Sequence, residues 1–255
     1  MAPGTGVAKI ECAAVSKSFA PHGQRMQVLD KVTLSVRENE FVVILGPGQC
    51  GKTTLLNCIG GLLTPDAGHI SLNGKTVEGP GPDRGIVFQQ YALFPWKTVL
   101  ENVAFGPMIA GAGKEKRHAA ARKYIELVGL GGFENAYPFS LSGGMKQRVG
   151  IARAYANNPD VLLMDEPFGA LDAQTRYAME KDLLNIWQRE RRTVLFVTNN
   201  IEEAIYLGDR IILMSALPGT VKNEYVIDTP KPRAYTDPAF LKLRKIISND
   251  TDLSL

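Results

Sequence analysis

Apolar and polar positions along the chain follow several patterns. Residues 10–15 and 28–36 (VLDKVTLSV) alternate, as half-buried strands of an antiparallel edge sheet do. Residues 16–26 between them read as loop. The stretches 41–45 (FVVIL), 85–89 (GIVFQ), 161–164 (VLLM), 193–197 (TVLFV) and 210–214 (RIILM) are short apolar runs. Such runs suit parallel strands covered on both faces. Asn73-Gly74, between two short β segments, predicts a hairpin. Helical spacing covers 114–128, 143–156, 173–191 and 201–207, with a short terminal helix at 239–247. The helix that starts after residue 51 is expected to end near Gly60-Gly61. Strands alternating with helices predict a parallel sheet with crossover helices.

Between residues 91 and 158 the character turns helical. The basic run in 114–128 reads as the solvated face of a helix rather than a binding patch. The expected organisation is one domain over 9–228. Residues 9–90 and 159–228 form its core with a β subdomain, 91–158 a helical subdomain, and 229–255 a tail. Residues 1–7 read as a loose lead-in.

Composition narrows this picture only slightly. The 255 residues are 45% hydrophobic and 22% charged, ordinary for a globular chain. A net charge of +3 is too small to argue for a nucleic-acid surface. Three cysteines, Cys12, Cys50 and Cys58, have no metal-ligand spacing and read as reduced thiols. The first residues have no basic region followed by an apolar run, so no signal peptide is expected. No apolar run is long enough to span a bilayer. Work at a membrane would require a partner to hold the chain there.

The chemistry concentrates first in FVVILGPGQCGKTTLL. Gly46, Gly51, Lys52 and Thr53 fit G-x-x-x-x-G-K-[ST], the phosphate-binding loop, between an apolar strand and a helix. A triphosphate needs many N–H donors at close range. Gly46, Pro47, Gly48, Gln49, Cys50 and Gly51 would wrap it, and Thr54 continues the contact into the helix. The positive helix end faces the anion. Lys52 adds a mobile cation, and the Thr53 hydroxyl suits Mg²⁺. The fold class that follows is α/β: a P-loop NTPase with a RecA-like parallel core, an antiparallel β edge and an inserted helical subdomain.

Further candidates lie downstream. Asp165 and Glu166 close the run VLLMDEP, where carboxylates enter the crevice at the C-terminal strand ends. Asp165 suits a Mg²⁺ contact and Glu166 the polarising of an attacking water. A solvated strand end is the alternative. Gln89, read as a strand end, suits Mg²⁺ and water; taken alone it is a surface glutamine. Ser142, Gly143 and Gly144 precede a helix and offer a hydroxyl and bare N–H groups, a second phosphate site. On spacing alone Ser142 equally suits a plain helix cap. One triphosphate has no need of both loops in one chain, which suggests a nucleotide held by another chain.

The order of Gly46 to Thr53, Gln89, LSGGM, LLMDEP and GALD resembles the nucleotide-binding subunit of an ABC transporter, over roughly residues 9–215. The resemblance implies that ATP and Mg²⁺ are the cofactors. It implies that Phe19 stacks on adenine, an edge-strand core residue being the alternative. It implies that Asp172 in GALD links two sites across a head-to-tail homodimer, or a pair with a paralogous ATPase. It also implies docking on transmembrane permease subunits at the cytoplasmic membrane face, with a substrate-binding protein involved indirectly and no nucleic acid. GPGPDRGIVFQ and LFPWKTVLENVAFG are similar to importer ATPases of the nitrate, sulfonate, taurine and bicarbonate group. Trp96 belongs to that match; a packing anchor is the alternative.

Two positions depart from the family pattern. The family has Thr-His-Asp where this chain has Thr198-Asn199-Asn200. The histidine contacts the γ-phosphate, whereas Asn199 hydrogen-bonds but cannot become cationic. The related importers have Ser-Gly where this chain has Gly48-Gln49, so Gln49 is strained if its φ is positive. The expected function is an ATPase that energises a small-anion importer by ATP-driven dimer closure. The second reading is an ATP-dependent dimerising or regulatory module with little hydrolysis. Soluble ABC ATPases with coiled-coil inserts do not fit 255 residues, and a simple P-loop kinase leaves LSGGM unexplained.

Overall fold

A computed structural model describes residues 8–20 and 23–251. The first seven residues, read above as a lead-in, lie outside the described residues. In chain order the elements are β1 (Ala8–Phe19), β2 (Met26–Arg37), β3 (Phe41–Leu45), α1 (Lys52–Ile59), β4 (Ala67–Leu72), β5 (Lys75–Thr76) and β6 (Arg84–Val87). There follow α2 (Val99–Val103), α3 (Phe105–Ile109), α4 (Lys114–Leu127), α5 (Gly143–Ala156), β7 (Val161–Asp165) and α6 (Ala173–Arg189). The chain closes with β8 (Thr193–Thr198), α7 (Ile201–Leu207), β9 (Arg210–Met214), β10 (Val221–Val226) and α8 (Pro238–Asp250).

The chain divides into two compact units, residues 1–81 with 192–255, and Pro82–Arg191. In the first unit β3 lies between β8 and β9, parallel to both. All three strands are buried along their whole length, as suits apolar runs interrupted only at their ends by Thr193, Thr198 and Arg210. β10 adds antiparallel to β9. Its pattern VKNEYV is mostly exposed and polar, so hydrophobic periodicity gave no sign of it. A separate antiparallel sheet has the order β2-β1-β4-β5. Asn73 and Gly74 both take positive φ, 52° and 73°, which forms the predicted tight hairpin between β4 and β5.

Residues 16–19, read as loop, instead complete β1. The register slips three times between Cys12 and Ser18, and Ala14 sits at φ 50°. Such bulges break the two-residue alternation on which sequence reading relies. Asp66 holds the extension, accepting from the Ser18 N–H at 2.6 Å and from the Lys17 ammonium at 2.8 Å.

In the second unit β6 runs parallel to β7 from Arg84 opposite Val161 to Val87 opposite Met164. Helices α2, α3 and α4 pack on α5. The start of α2 is closed by a capping box between Thr98 and Glu101. Asn102, fully buried, accepts from the Phe94 N–H and donates to the carbonyls of Phe94, Lys97 and Thr98. It pins the segment that presents Trp96, which is 70% exposed and therefore no packing anchor.

Candidate nucleotide site

In the first unit β3 hands the chain to a six-residue loop, and α1 begins at Lys52. α1 has no side-chain cap and no acid in its first turn. The positive end of α1 therefore faces the loop with no acidic side chain of its first turn against it. Gly51 caps the helix at φ 99°, and a Cβ there would come within 2.8 Å of Leu29 Cδ2. A Cβ on Gly46 would come within 2.9 Å of Cys50 Sγ and 3.1 Å of the Met214 carbonyl. Gly51 is required chiefly by its positive φ, and a side chain at Gly46 would press on the Met214 main chain. The buried Lys52 ammonium donates to the carbonyls of Gly46 at 2.9 Å and Pro47 at 2.8 Å, which holds it against the loop.

The middle of the loop is divided differently. Gly48 is exposed, its φ is not positive and a Cβ there would meet nothing within 4 Å. The left-handed backbone falls on Gln49, at φ 64°. The positive φ on which strain at Gln49 depends is therefore present. Cys50 turns its side chain inward and is 1% exposed, so it can offer a ligand only its backbone. Thr53 is exposed and Thr54 half-buried.

Phe19 ends β1 with 38% of its surface exposed, and the Lys17 ammonium lies 5.7 Å from its ring centroid. It is a surface ring rather than a core residue, a form open to stacking. Asn199 follows β8 directly and is exposed. Asn200 beside it has a different task, accepting from the N–H groups of Glu202 and Glu203 as the cap of α7. Thr198 accepts from the Asn200 N–H at 3.0 Å and donates to the buried Glu203 carboxylate.

In the second unit Asp165 is the last residue of β7 and is buried, while Glu166 follows half-buried at φ 39°. Positive φ on a non-glycine at a strand end is the kind of strain that marks functional turns. Gln89 does not end a strand as expected. β6 stops at Val87, and Gln89 lies two residues beyond it, exposed. There the chain leaves the ladder before the amide side chain, which the apolar run GIVF did not reveal. Gln89 and Glu166 are nonetheless brought together. A Cβ on Gly169 would lie 3.6 Å from Gln89 Nε2 and 3.7 Å from Glu166 Oε2.

Ser142 caps α5, accepting from the Met145 N–H at 3.3 Å, so the cap reading holds for the isolated chain. The two glycines after it are closely walled. A Cβ on Gly143 would come 2.8 Å from the Tyr91 hydroxyl, and one on Gly144 3.1 Å from Thr175 Cγ2. Thr175 in turn donates its hydroxyl to Asp172 at 2.7 Å, and Asp172 caps α6. The hydrogen bonds from Thr175 hold the Asp172 carboxyl below the usual range. The SGG loop and the start of α6 thus adjoin. Sequence reasoning missed Tyr91 and Thr175; the D-x-x-T spacing of a helix cap was the available signal for Thr175.

Comparisons with known proteins place the chain in a family. A family described as ABC transporter matches residues 29–169. The chain is 52% identical to an uncharacterized ABC transporter ATP-binding protein of Methanocaldococcus jannaschii, over 94% of this chain and 90% of that one. It is 48% identical to the taurine import ATP-binding protein TauB of Rhizobium johnstonii, over 89% and 90%. It is 44% identical to the nitrate import ATP-binding protein NrtD of a Synechocystis strain, over 94% of each. Among solved structures it is similar to a dimeric bacterial ABC transporter cassette, with TM-score 0.76 and 35% identity over 87% of this chain and all of that one. A dimeric post-hydrolysis cassette bound to ADP and Pi has TM-score 0.76 and 34% identity, with the same coverage.

Proposed function

This chain belongs to the ABC transporter family as an ATP-binding subunit, and we propose that it is the ATPase that energises an importer of a small anion or organic solute. The carrying observation is the loop built by Gly46, Gly51 and Lys52, with the lysine held at its carbonyls. In this reading residues 46–54 bind the phosphates of ATP and Phe19 stacks on its adenine. Glu166 polarises the attacking water, oriented with Gln89, while Asn199 hydrogen-bonds the γ-phosphate. Thr53 in the first unit offers a hydroxyl, and Asp165 and Gln89 in the second a carboxylate and an amide, hard oxygen donors of the kind that suits Mg²⁺. Held by such donors, the ion would neutralise developing phosphate charge.

Two copies would sandwich two nucleotides, with Ser142, Gly143 and Gly144 of one completing the site on the other and Asp172 linking them. The dimeric cassettes among similar structures support this reading. ATP then closes the dimer only by its differential affinity for the closed state. Among the described residues no helix is long and apolar enough to cross a membrane. Permease subunits would hold the chain at the cytoplasmic face, docked through the helical segment. Relatives named for taurine and nitrate import favour a small anion as cargo. The test is uptake of sulfonates, nitrate and bicarbonate in cells lacking this chain. Restored uptake that disappears with Lys52→Ala supports the reading, and uptake indifferent to Lys52→Ala overturns it.

A second reading is favoured by Asn199, which cannot become cationic. Here ATP acts as a dimerising ligand with little hydrolysis. Nucleotide occupancy measured beside turnover separates the two.

A further inference from the structure

The turn that carries Asn199 opens onto α7, only seven residues long. A helix this short has little stability of its own and takes its orientation from what grips it. α7 packs on β3 and β8, and the tail adds a further grip through α8 and the segment before it. Arg233 is buried, and its guanidinium donates to the Ile205 carbonyl at 2.6 Å and the Gly208 carbonyl at 2.7 Å. Its Nε donates to the Thr229 carbonyl at 3.0 Å, tying the tail to the same point. The carbonyls at a helix C-terminus have no partners within the helix and carry its negative end, so a buried cation is matched to them. Around this anchor Tyr235 stacks on Tyr206, with ring centroids 5.0 Å apart and planes 4° apart, and Phe240 meets Tyr235 edge-on at 5.2 Å. At the other end of α7, Arg244 of α8 pairs with Glu202 at 3.1 Å.

We propose that Arg233 is a positioning residue for Asn199, with the tail acting as a clamp that sets the direction of α7 and so of the turn at its N-terminal end. A seven-residue helix is about 10 Å long and moves as a rigid rod, so a tilt at the Arg233 end displaces the Asn199 end. The fork of the guanidinium reaches Ile205, Gly208 and Thr229 together, which a lysine ammonium on its single stem does not. The inference rests on the reading of Asn199 as a γ-phosphate contact.

The test uses the full chain and compares its affinities for fluorescent ATP and ADP analogues. Only ATP has a γ-phosphate, so the ATP-to-ADP affinity ratio reports Asn199 without requiring hydrolysis. Arg233→Ala should lower that ratio by about fivefold with ADP affinity within about twofold, and Arg233→Lys should recover part of it. Asn199→Ala should lower the ratio alone, and adding Arg233→Ala should lower it little further, because the two act as one unit. Equal loss of both nucleotides, or an unchanged ratio, would overturn the proposal. If Arg233→Ala does not fold, the same ratio is read in Arg233→Lys and Tyr235→Leu, where no change is equally fatal. A ratio lowered by Asn199→Ala but not by the Arg233 variants removes the clamp alone. A ratio indifferent to Asn199→Ala removes the reading of Asn199, and the clamp with it.

Discussion

Gln49 holds the left-handed backbone, φ 64°, while the glycine beside it, Gly48, has space for a side chain and no need of positive φ. A side chain in that region costs about 1 kcal/mol relative to glycine. Gln49→Gly should therefore raise stability by about 1 kcal/mol, a melting shift of about 2–4 °C for a chain of this size. Gly48→Ala should be neutral or slightly stabilising. Thermal melts of both variants check this. A lower melting temperature for Gln49→Gly would show that the amide side chain compensates the strain.

That relationship shows what the sequence discloses and what it does not. The spacing of Gly46, Gly51 and Lys52 named the loop because each residue type has one chemical use there. The helix 143–156 was legible to the residue, since Ser142 caps it and glycines follow. The run 41–45 was legible because burial on both faces leaves only apolar choices. The last residues of β1 were not legible, because their extension depends on Asp66 reaching Lys17 and Ser18 from far along the chain. The approach of Gln89 to Glu166 around Gly169 was equally hidden, since no local periodicity encodes a contact between distant loops.

Asn199 is exposed directly after β8, and its neighbour Asn200 is already committed to capping α7. The cap makes Asn200 a poor substitute for a missing imidazole. If hydrolysis is slow for want of a histidine, Asn199→His should raise turnover by about tenfold, or about 1.4 kcal/mol of barrier. The same change at Asn200 should instead weaken the cap by about 1 kcal/mol and bring no gain in turnover. Phosphate release by the transporter assembled with its permease subunits measures both. A wild-type rate already in the ordinary range, unmoved by Asn199→His, would return Asn199 to a simple hydrogen-bonding role.

Asn102 makes four hydrogen bonds to the backbone of residues 94–98 from a fully buried position. Asn102→Leu removes them and takes from the Phe94 N–H and the Lys97 carbonyl their partner, at a cost of about 3 kcal/mol. The segment it pins presents Trp96, so the loss should also appear locally. Denaturant unfolding gives the stability change, and Trp96 fluorescence with limited proteolysis reports the loosened segment. A stability loss with the segment still protected would place the effect in α2 alone.

The remaining prediction concerns alkaline pH. Burial pushes the Cys12 thiol up to about 12 and the Cys58 thiol up to about 11, from an ordinary value of 9.0. For a raised pKa the folded state binds more protons than the unfolded one above the ordinary value. Below pH 9.0 both states hold neutral thiols and the full stability is present. As pH rises past 9.0 the unfolded thiols ionise first, and stability falls until the folded thiols follow near 11 and 12. Cys12→Ala should flatten that fall, at the cost of a small cavity at neutral pH. Denaturant midpoints between pH 8 and 10.5 measure the slope on the protein side of backbone hydrolysis. The same burial should keep both thiols unreactive to alkylation at about pH 8 until the chain unfolds. Rapid labelling of Cys12 in the folded chain would show that β1 opens far more readily than its place in the four-stranded sheet implies.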